Sequence, residues 1–172
     1  MIADKLELKG YDRTLLSIHF DGAGSLYNVM RATGSMMTDW FKVTDGARSS
    51  RYRLYRGKLQ YITSNGKALK AHVRERAKSD SKHRNYYLTY SHYYMHRLMA
   101  QAVYDKIGKS IDGLKIHHRL IDETATIKGN SLGYLVVLDD EDHNRLHKLL
   151  NMIIDYVRDY ISGQINLFDI VD

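Results

Sequence analysis

Residues 116–147 read IHHRLIDETATIKGNSLGYLVVLDDEDHNRLH, and this stretch decides the fold that we predict. It contains a pair of adjacent histidines, His117 and His118, and a later pair, His143 and His147. Residues four apart on a helix lie on one face, so His143 and His147 can bind one ion together. With a third imidazole from a nearby strand, they predict a transition-metal site that keeps room for water or phosphate. The alternative is a polar interface packed by histidines.

The same stretch has the pattern of a strand–loop–strand–helix unit. The apolar runs 114–118 and 134–138 predict two strands, separated by a long loop that contains Gly129 and Asn130. A helix is predicted from about Glu141 to Ile161, because an acidic first turn suits the helix dipole. The fold class that we expect is therefore α+β, ending in a long C-terminal helix.

The chain before this unit gives weaker signals. Residues 95–107 carry an apolar stripe at helical spacing, and they predict an amphipathic helix in which His96 has a capping or packing role. Residues 15–20 suggest a strand, and residues 26–41 suggest a helix. Residues 47–90 have the alternation and turn residues of short strands, so we expect a small sheet there.

Composition excludes several classes of protein. The chain has 172 residues, of which 44% are hydrophobic, enough for the core of one domain or two small ones. Cysteine is absent, so disulfides and thiolate metal sites are excluded. The sequence contains no run of about 20 apolar residues, so it predicts no membrane span. A cytoplasmic location is the default expectation.

Positive charge is concentrated in the middle of the sequence. Between Lys42 and Arg97 there are 14 basic residues and three acidic ones, interleaved with many tyrosines. Basic side chains neutralise phosphates, and tyrosines contact sugars and base edges, so this region predicts binding to double-stranded DNA. The alternative is a solvated basic surface. The residues that we expect to contact DNA are Arg48, Arg51, Arg53, Arg56, Lys70, Arg74, Arg76, Lys82 and Arg84.

The His-His pair, a gap of about 25 residues and the sequence His-Asn-Arg-Leu-His together resemble the HNH nucleases, which have the ββα-metal fold. The preceding segment, residues 94–103, is similar to the region before the nuclease core in phage HNH homing endonucleases. The resemblance covers roughly residues 86–150. It implies a metal-dependent DNA endonuclease, encoded by a phage and acting in homing or recombination in the bacterial host cell.

The resemblance also implies roles for the histidines. His118 would be the general base that activates water, and His117, His143 and His147 would bind one divalent ion, which is Mg²⁺, Mn²⁺, Zn²⁺ or Ni²⁺ in this family. Arg119 or Arg145 would clamp the phosphate. Histidine suits the base role because its reference pKa lies near 6.5.

One position departs from the family pattern. The family has an asparagine on the second strand, about nine residues before the first helix histidine, where it braces the loop and orients the base. This sequence has Tyr134 there, and the nearest asparagine is Asn130. Two alternatives remain: the loop is displaced so that Asn130 provides the brace, or the role of the asparagine is lost.

The C-terminal tail contains a second motif. After Gly163 it reads QINLFD, which resembles the bacterial sliding-clamp-binding peptide, with Gln164, Leu167 and Phe168 as the contact residues. The alternative is that these apolar residues fold back on the protein's own core. The sliding clamp is therefore a second expected partner.

These observations predict three parts and two function classes. The parts are a basic DNA-binding region at 1–90, a nuclease core at 91–162 and a tail at 163–172. The first function is a metal-dependent endonuclease, and the alternative is a non-catalytic DNA- or clamp-binding protein with a degenerate HNH core. The oligomeric state is left open.

Overall fold

The computed structural model describes residues 8–45, 48–62, 66, 68–70, 89–90 and 93–163. Within these ranges the chain combines helices with small antiparallel sheets, which confirms the α+β class. The helices are α1 (Gly10–Asp21), α2 (Leu26–Ala32), α3 (Met95–Lys106) and α4 (Asp140–Ile161). The strands are β1 (Phe41–Asp45), β2 (Arg48–Tyr55), β3 (Lys58–Ile62), β4 (Ala68–Lys70), β5 (Thr89–Tyr90), β6 (Tyr93–Tyr94), β7 (Lys115–His118) and β8 (Leu135–Leu138).

The prediction of a strand at residues 15–20 is wrong, because these residues belong to α1. A short apolar run does not distinguish a strand from a helix by itself. Asp12 and Leu15 are the buried residues of α1, and His19 lies four positions after Leu15, a spacing of three and four residues that puts all three on one helix face. Gly22 ends the helix in the left-handed conformation (φ 73°).

The helix that we expected at residues 26–41 is also shorter than predicted. Ser25 caps α2 by accepting a hydrogen bond from the Asn28 backbone N–H, and α2 ends at Ala32. Gly34 then takes a positive φ of 76°, which interrupts the helical path and leads the chain toward β1.

Strands β1 to β4 form the small antiparallel sheet that the sequence predicts, in the order β1-β2-β3-β4. Arg56 and Gly57 connect β2 to β3 with positive φ values of 51° and 73°, the conformation that suits a two-residue hairpin. The inner face buries Tyr52, Leu54 and Leu59. The outer face therefore carries the alternate, largely basic residues of β2.

Helix α3 packs on the inner face of this sheet, at the centre of the main hydrophobic core. The predicted apolar stripe is buried at Met95, Leu98, Met99 and Val103. The same core includes Leu26 and Met30 from α2 and Leu135 from β8. Contacts therefore cross the predicted boundary between residues 90 and 91, so the sheet and the C-terminal unit share one core.

The strand–loop–strand–helix unit is present as predicted. Strands β7 and β8 pair antiparallel, with His117 opposite Val136 and His118 opposite Leu135. Asp139 caps α4 by accepting a hydrogen bond of 2.7 Å from the Asp142 backbone N–H.

Only the first half of α4 buries its apolar side. Leu146, Leu149 and Leu150 are buried together with Leu15 of α1. The helix continues to Ile161, but Ile154, Val157 and Ile161 are exposed in its second half. No helix within the described ranges is long and apolar enough to cross a membrane.

Replacing Asp12 tests the docking of α1 on α4. The Asp12 carboxylate is covered, and it accepts hydrogen bonds from Arg145 Nε (2.9 Å) and from the Lys9 backbone N–H (3.2 Å). The Arg145 bond lowers the pKa of Asp12 by more than burial raises it. We expect Asp12→Asn to lower the free energy of unfolding in urea at neutral pH.

The sign of the pH dependence follows from the lowered pKa. A carboxyl group of this kind stabilises the fold above its unfolded pKa of about 3.9, and the stabilisation is lost as the pH falls through the folded value. The difference between wild type and Asp12→Asn should therefore shrink in strongly acidic buffer. An equal difference at neutral and acidic pH would contradict the ion pair's role.

Candidate metal centre

The structure brings together the three histidines that the sequence predicts as metal ligands. His117 lies on β7, and His143 and His147 lie one turn apart on α4. One ring nitrogen from each lies within 4.8 Å of one from each of the others, so the group can hold a metal ion. Nitrogen ligands of zinc lie about 2.0–2.1 Å from the metal, so side-chain adjustments of about 1 Å close the site.

The adjacent histidines of β7 point to opposite faces of the hairpin. Consecutive side chains of a strand alternate, so His117 and His118 face different neighbours. His117 is 1% exposed and lies toward α4, with its ring centroid 5.2 Å from that of His147. His118 is 6% exposed and lies toward α3, with its ring centroid 4.9 Å from that of His96. One dipeptide therefore serves two environments.

A fourth histidine reaches the same cluster from the N-terminal helix. His19 Nδ1 lies 2.9 Å from His117 Nε2, although the two residues are separated by 98 positions in sequence. His19 was not among the predicted ligands, because residues 15–20 were expected to form a strand. The four-residue spacing of Leu15 and His19 indicates a helix face, but it does not indicate that His19 contacts His117.

Arg119 holds His19 against the hairpin. Its guanidinium donates three hydrogen bonds to backbone carbonyls, those of His19 (2.6 Å), Phe20 (2.7 Å) and Gly133 (2.8 Å). A side chain at Gly22 would place its Cβ 2.5 Å from Arg119 Nη1, so glycine is required there. The phosphate-clamping role suggested for Arg119 stays a prediction: three of its five N–H groups donate within the protein, which fixes the position of the guanidinium.

Burial keeps the clustered histidines neutral. Burial, followed by the neighbouring histidines, lowers the pKa of His117 to about 3. Burial is also the main cause of the lowered pKa of His19, His143 and His147. Neutral imidazole is the form that binds metal ions, so the ligand atoms need lose no proton near neutral pH.

The residues present fit a metal ion. Each of the three rings offers one ligand nitrogen, and these nitrogens all lie within 4.8 Å of one another. An assembly of imidazoles without thiolates suits Zn²⁺ or Ni²⁺ better than Mg²⁺, which prefers oxygen ligands.

Asn130 orients His118, the predicted general base. Asn130 is fully buried, and its Oδ1 lies 3.1 Å from His118 Nε2. Its Nδ2 donates to the carbonyls of Thr124 and Thr126, both at 2.7 Å, which fixes which amide atom faces the histidine. Because Oδ1 can only accept, Nε2 of His118 carries the hydrogen, and the basic lone pair of the neutral ring is on Nδ1.

This geometry supports the first alternative from the sequence, in which the loop is displaced and Asn130 provides the brace. Gly129 makes the tight loop possible, since a Cβ there would lie only 2.0 Å from the Glu123 carbonyl oxygen. Tyr134 occupies the end of the loop, where its carbonyl accepts a hydrogen bond of 2.9 Å from the Arg119 backbone N–H.

His96 has a packing environment, as the sequence analysis expected. It is buried at the start of α3, stacked on Tyr94 and edge-on to His118. Burial lowers the pKa of His96 to about 3, with smaller contributions from His118 and Arg97. The neutral ring of His96 therefore packs against the ring of His118, the predicted general base.

Arg145 does not join the histidine cluster in the contacts that the structure describes. It lies two residues after His143, about 200° around the helix, and it pairs with Asp12. Its predicted role as a phosphate clamp remains a prediction. The Asp12 contact instead gives Arg145 a part in docking α1 on α4.

Arg51 and Arg53 of β2 lie on the outer face of the sheet. Arg53 stacks over the rings of Trp40 (4.5 Å) and Tyr55 (5.3 Å), and Arg56 lies 5.5 Å from the ring centroid of Tyr55. Arg51 is exposed on the same strand face as Arg53. This basic aromatic surface lies opposite the face that packs on α3.

Several predicted contact residues cannot be placed. Only the backbone of Arg48 and Lys70 is described, at the ends of β2 and β4. The remaining residues lie outside the described ranges: Arg74, Arg76, Lys82, Arg84, Gln164, Leu167 and Phe168. Their proposed DNA and clamp contacts stay predictions.

Comparisons of this chain with protein-family models, with curated proteins and with solved structures each found no match.

The buried histidines should make the metal-free protein sensitive to mild acid. Each one stays neutral in the fold but becomes protonated on unfolding at a pH near 6.5, so the unfolded state binds more protons below that pH. We expect the free energy of unfolding in chelator to fall by about 1.4 kcal/mol per pH unit for each such histidine as the pH drops below about 6. Urea denaturation at several pH values measures this free energy of unfolding. A free energy that stays constant between pH 7 and 5 would contradict the burial of these rings.

Proposed function

We propose that this chain is an HNH-type, metal-dependent endonuclease that hydrolyses phosphodiester bonds in double-stranded DNA. The observation that best supports the proposal is the pair of histidine groups that meet at β7. His117 joins His143 and His147 on one side, and His118 joins Asn130 on the other. The two groups lie on opposite faces of the hairpin, so the proposed cleavage requires a phosphate at the edge of the hairpin, where it would reach both.

The ligands in this proposal are His117, His143 and His147. They would hold one divalent ion from the set Mg²⁺, Mn²⁺, Zn²⁺ and Ni²⁺, and the imidazole set favours Zn²⁺ and Ni²⁺. When bound, such an ion supplies positive charge to the phosphate and to the leaving 3′-oxygen. The hydrogen bond between His19 and His117 helps to fix the orientation of the His117 ring.

The general base in this proposal is His118. Burial lowers its pKa, although the hydrogen bond to Asn130 opposes this change, so the ring is neutral near pH 7. Asn130 holds Nε2–H, and the proton of the attacking water would move to Nδ1. The two further hydrogen bonds of Asn130 to the loop carbonyls hold its side chain in place and thereby fix the orientation of the His118 ring.

DNA is the proposed substrate because of the basic outer face of the sheet. Arg53 lies over Trp40 and Tyr55, Arg56 lies over Tyr55, and Arg51 is exposed on the same strand face as Arg53. This combination of cations and aromatic rings suits phosphates and sugars. In this proposal the sheet contributes affinity without sequence specificity, and the histidine cluster performs the cleavage. A phage homing or recombination enzyme with a clamp-binding tail at residues 164–168 fits this arrangement.

A non-catalytic DNA-binding protein is the alternative function. The low exposure of both histidines of β7 favours it, because a base must reach a water molecule and a ligand must reach an ion. In that case the histidine cluster would stabilise the fold, and the basic sheet alone would carry the function. The two proposals differ in whether the chain cleaves DNA.

A plasmid-nicking assay with His118→Ala tests the proposed endonuclease. We expect the wild-type chain to relax supercoiled plasmid with Zn²⁺, Ni²⁺ or Mn²⁺, and not with excess chelator. Removal of the general base should slow cleavage by about 10²–10⁴-fold while the variant still binds the metal.

Lys128→Ala is the matched control for this assay. Lys128 is exposed and pairs with Glu123 at the surface of the same loop, so its loss should leave the rate unchanged. Absence of wild-type cleavage with every metal would favour the non-catalytic alternative. Equal rates for wild type and His118→Ala would refute the assignment of the base.

A further inference from the structure

We propose that His19 is a fourth nitrogen ligand of the same metal ion, so that α1 belongs to the metal centre. The proposal rests on the metal site of the proposed function and adds a residue that lies outside the HNH-like stretch. It makes the site a set of imidazoles from three separate segments: α1, β7 and the start of α4.

The distance between His19 and His117 fits two ligands of one ion. His19 Nδ1 lies 2.9 Å from His117 Nε2, and the ring centroids are 5.2 Å apart. Neighbouring ligand nitrogens bound at about 2.0–2.1 Å lie about 2.8–3.0 Å apart in octahedral sites and about 3.3–3.4 Å apart in tetrahedral sites. A small separation of the two rings would therefore let one ion replace the hydrogen bond. His19 is also within electrostatic reach of His147, although its nitrogens are not part of the group whose ligand atoms all lie within 4.8 Å of one another.

The docking of α1 delivers His19 to this position. Near its start, Asp12 pairs with Arg145, which lies between the two histidines of α4. In its middle, Leu15 is buried in the same cluster as Leu146. At its end, Arg119 holds the carbonyls of His19 and Phe20.

The inner face of α1 thus touches the metal-bearing unit at each turn. The packing of Leu15 buries the apolar side of α1 but does not by itself fix the end of the helix. The hydrogen bonds from Arg119 fix the last turn, where His19 lies. Arg119 is two residues after His117 on the chain, so the same segment that carries one ligand also fixes the backbone of the other. The ligand class that fits four neutral imidazoles is a borderline divalent cation such as Zn²⁺, Ni²⁺ or Co²⁺.

A hydrogen-bond partner of His117 and a direct ligand have different spectroscopic consequences. Loss of a hydrogen-bond partner already weakens metal binding by about 10–100-fold, so weaker binding alone does not identify a direct ligand. Loss of a ligand also changes the coordination of the ion, which Co²⁺ reports through the position and intensity of its visible absorption bands. Free imidazole can refill a vacated coordination position.

The experiment is a Co²⁺ titration of the full chain, followed by visible absorption, for wild type and His19→Ala. We expect one Co²⁺ per chain for both, with affinity at least tenfold weaker in His19→Ala. The bands of the variant should be shifted, and added imidazole should restore the wild-type spectrum. His96→Gln, which removes a buried histidine outside the cluster, should keep the wild-type spectrum.

Each outcome decides between the interpretations. An unchanged Co²⁺ spectrum in His19→Ala would overturn the proposal and leave His19 as a hydrogen-bond partner, without affecting the three-histidine site. Failure of the folded wild type to bind Co²⁺ would overturn the metal site itself. His19→Asn serves as the second variant if circular dichroism shows that His19→Ala does not fold, and it should show the same spectral shift.

Discussion

The alternation of side chains along β7 is the constraint on which the site depends. Because adjacent residues of a strand face opposite ways, His117 and His118 cannot share one environment. His117 turns toward α4 and α1, where imidazoles gather, and His118 turns toward α3 and the loop, where Asn130 holds it. A shift of one residue in the pairing with β8 would exchange these roles. The buried Val136 and Leu135 opposite them therefore specify the chemistry as well as the packing.

The surrounding structure serves to hold that hairpin in one register. The loop between its strands closes around Gly129, where the Glu123 carbonyl leaves no room for a side chain, and Asn130 binds two loop carbonyls and His118. Arg119 joins the same loop to the end of α1. The guanidinium of Arg119 donates to three backbone carbonyls, and a charged donor contributes more than neutral hydrogen bonds would. Three of its five N–H groups are used in this way.

Local sequence patterns predicted the parts of the site that depend on spacing. The four-residue interval of His143 and His147 and the two apolar runs specified the helix face and the hairpin, and the structure has both. The alternation of Arg51, Tyr52 and Arg53 likewise predicted which side of the sheet is basic. The displaced brace remained undecided because a loop conformation depends on contacts such as that of Gly129 with Glu123, which no spacing rule contains.

The sequence could not predict the contribution of α1. Residues 15–20 satisfy a strand pattern and a helix pattern equally well, and the packing of Leu15 against α4 decides between them. His19 meets His117 only through tertiary docking across 98 positions of sequence. The contacts of Arg119 with α1 were likewise beyond prediction, because an arginine beside two histidines has the same composition whether it binds phosphate or backbone. The exposed apolar half of α4 was also beyond prediction, since periodicity shows a face but not its partner.

The central claim is that DNA cleavage occurs at the histidine-bound ion, and a metal titration of the cleavage rate under single-turnover conditions tests it most directly. Metal occupancy and cleavage rate are measured on the same samples of the metal-free chain as Zn²⁺ or Ni²⁺ is added. We expect the cleavage rate to rise in proportion to metal occupancy and to saturate at one ion per chain. In His143→Ala, both metal binding and cleavage should be lost. A rate that persists in chelator, or full occupancy of the site without cleavage, would contradict it.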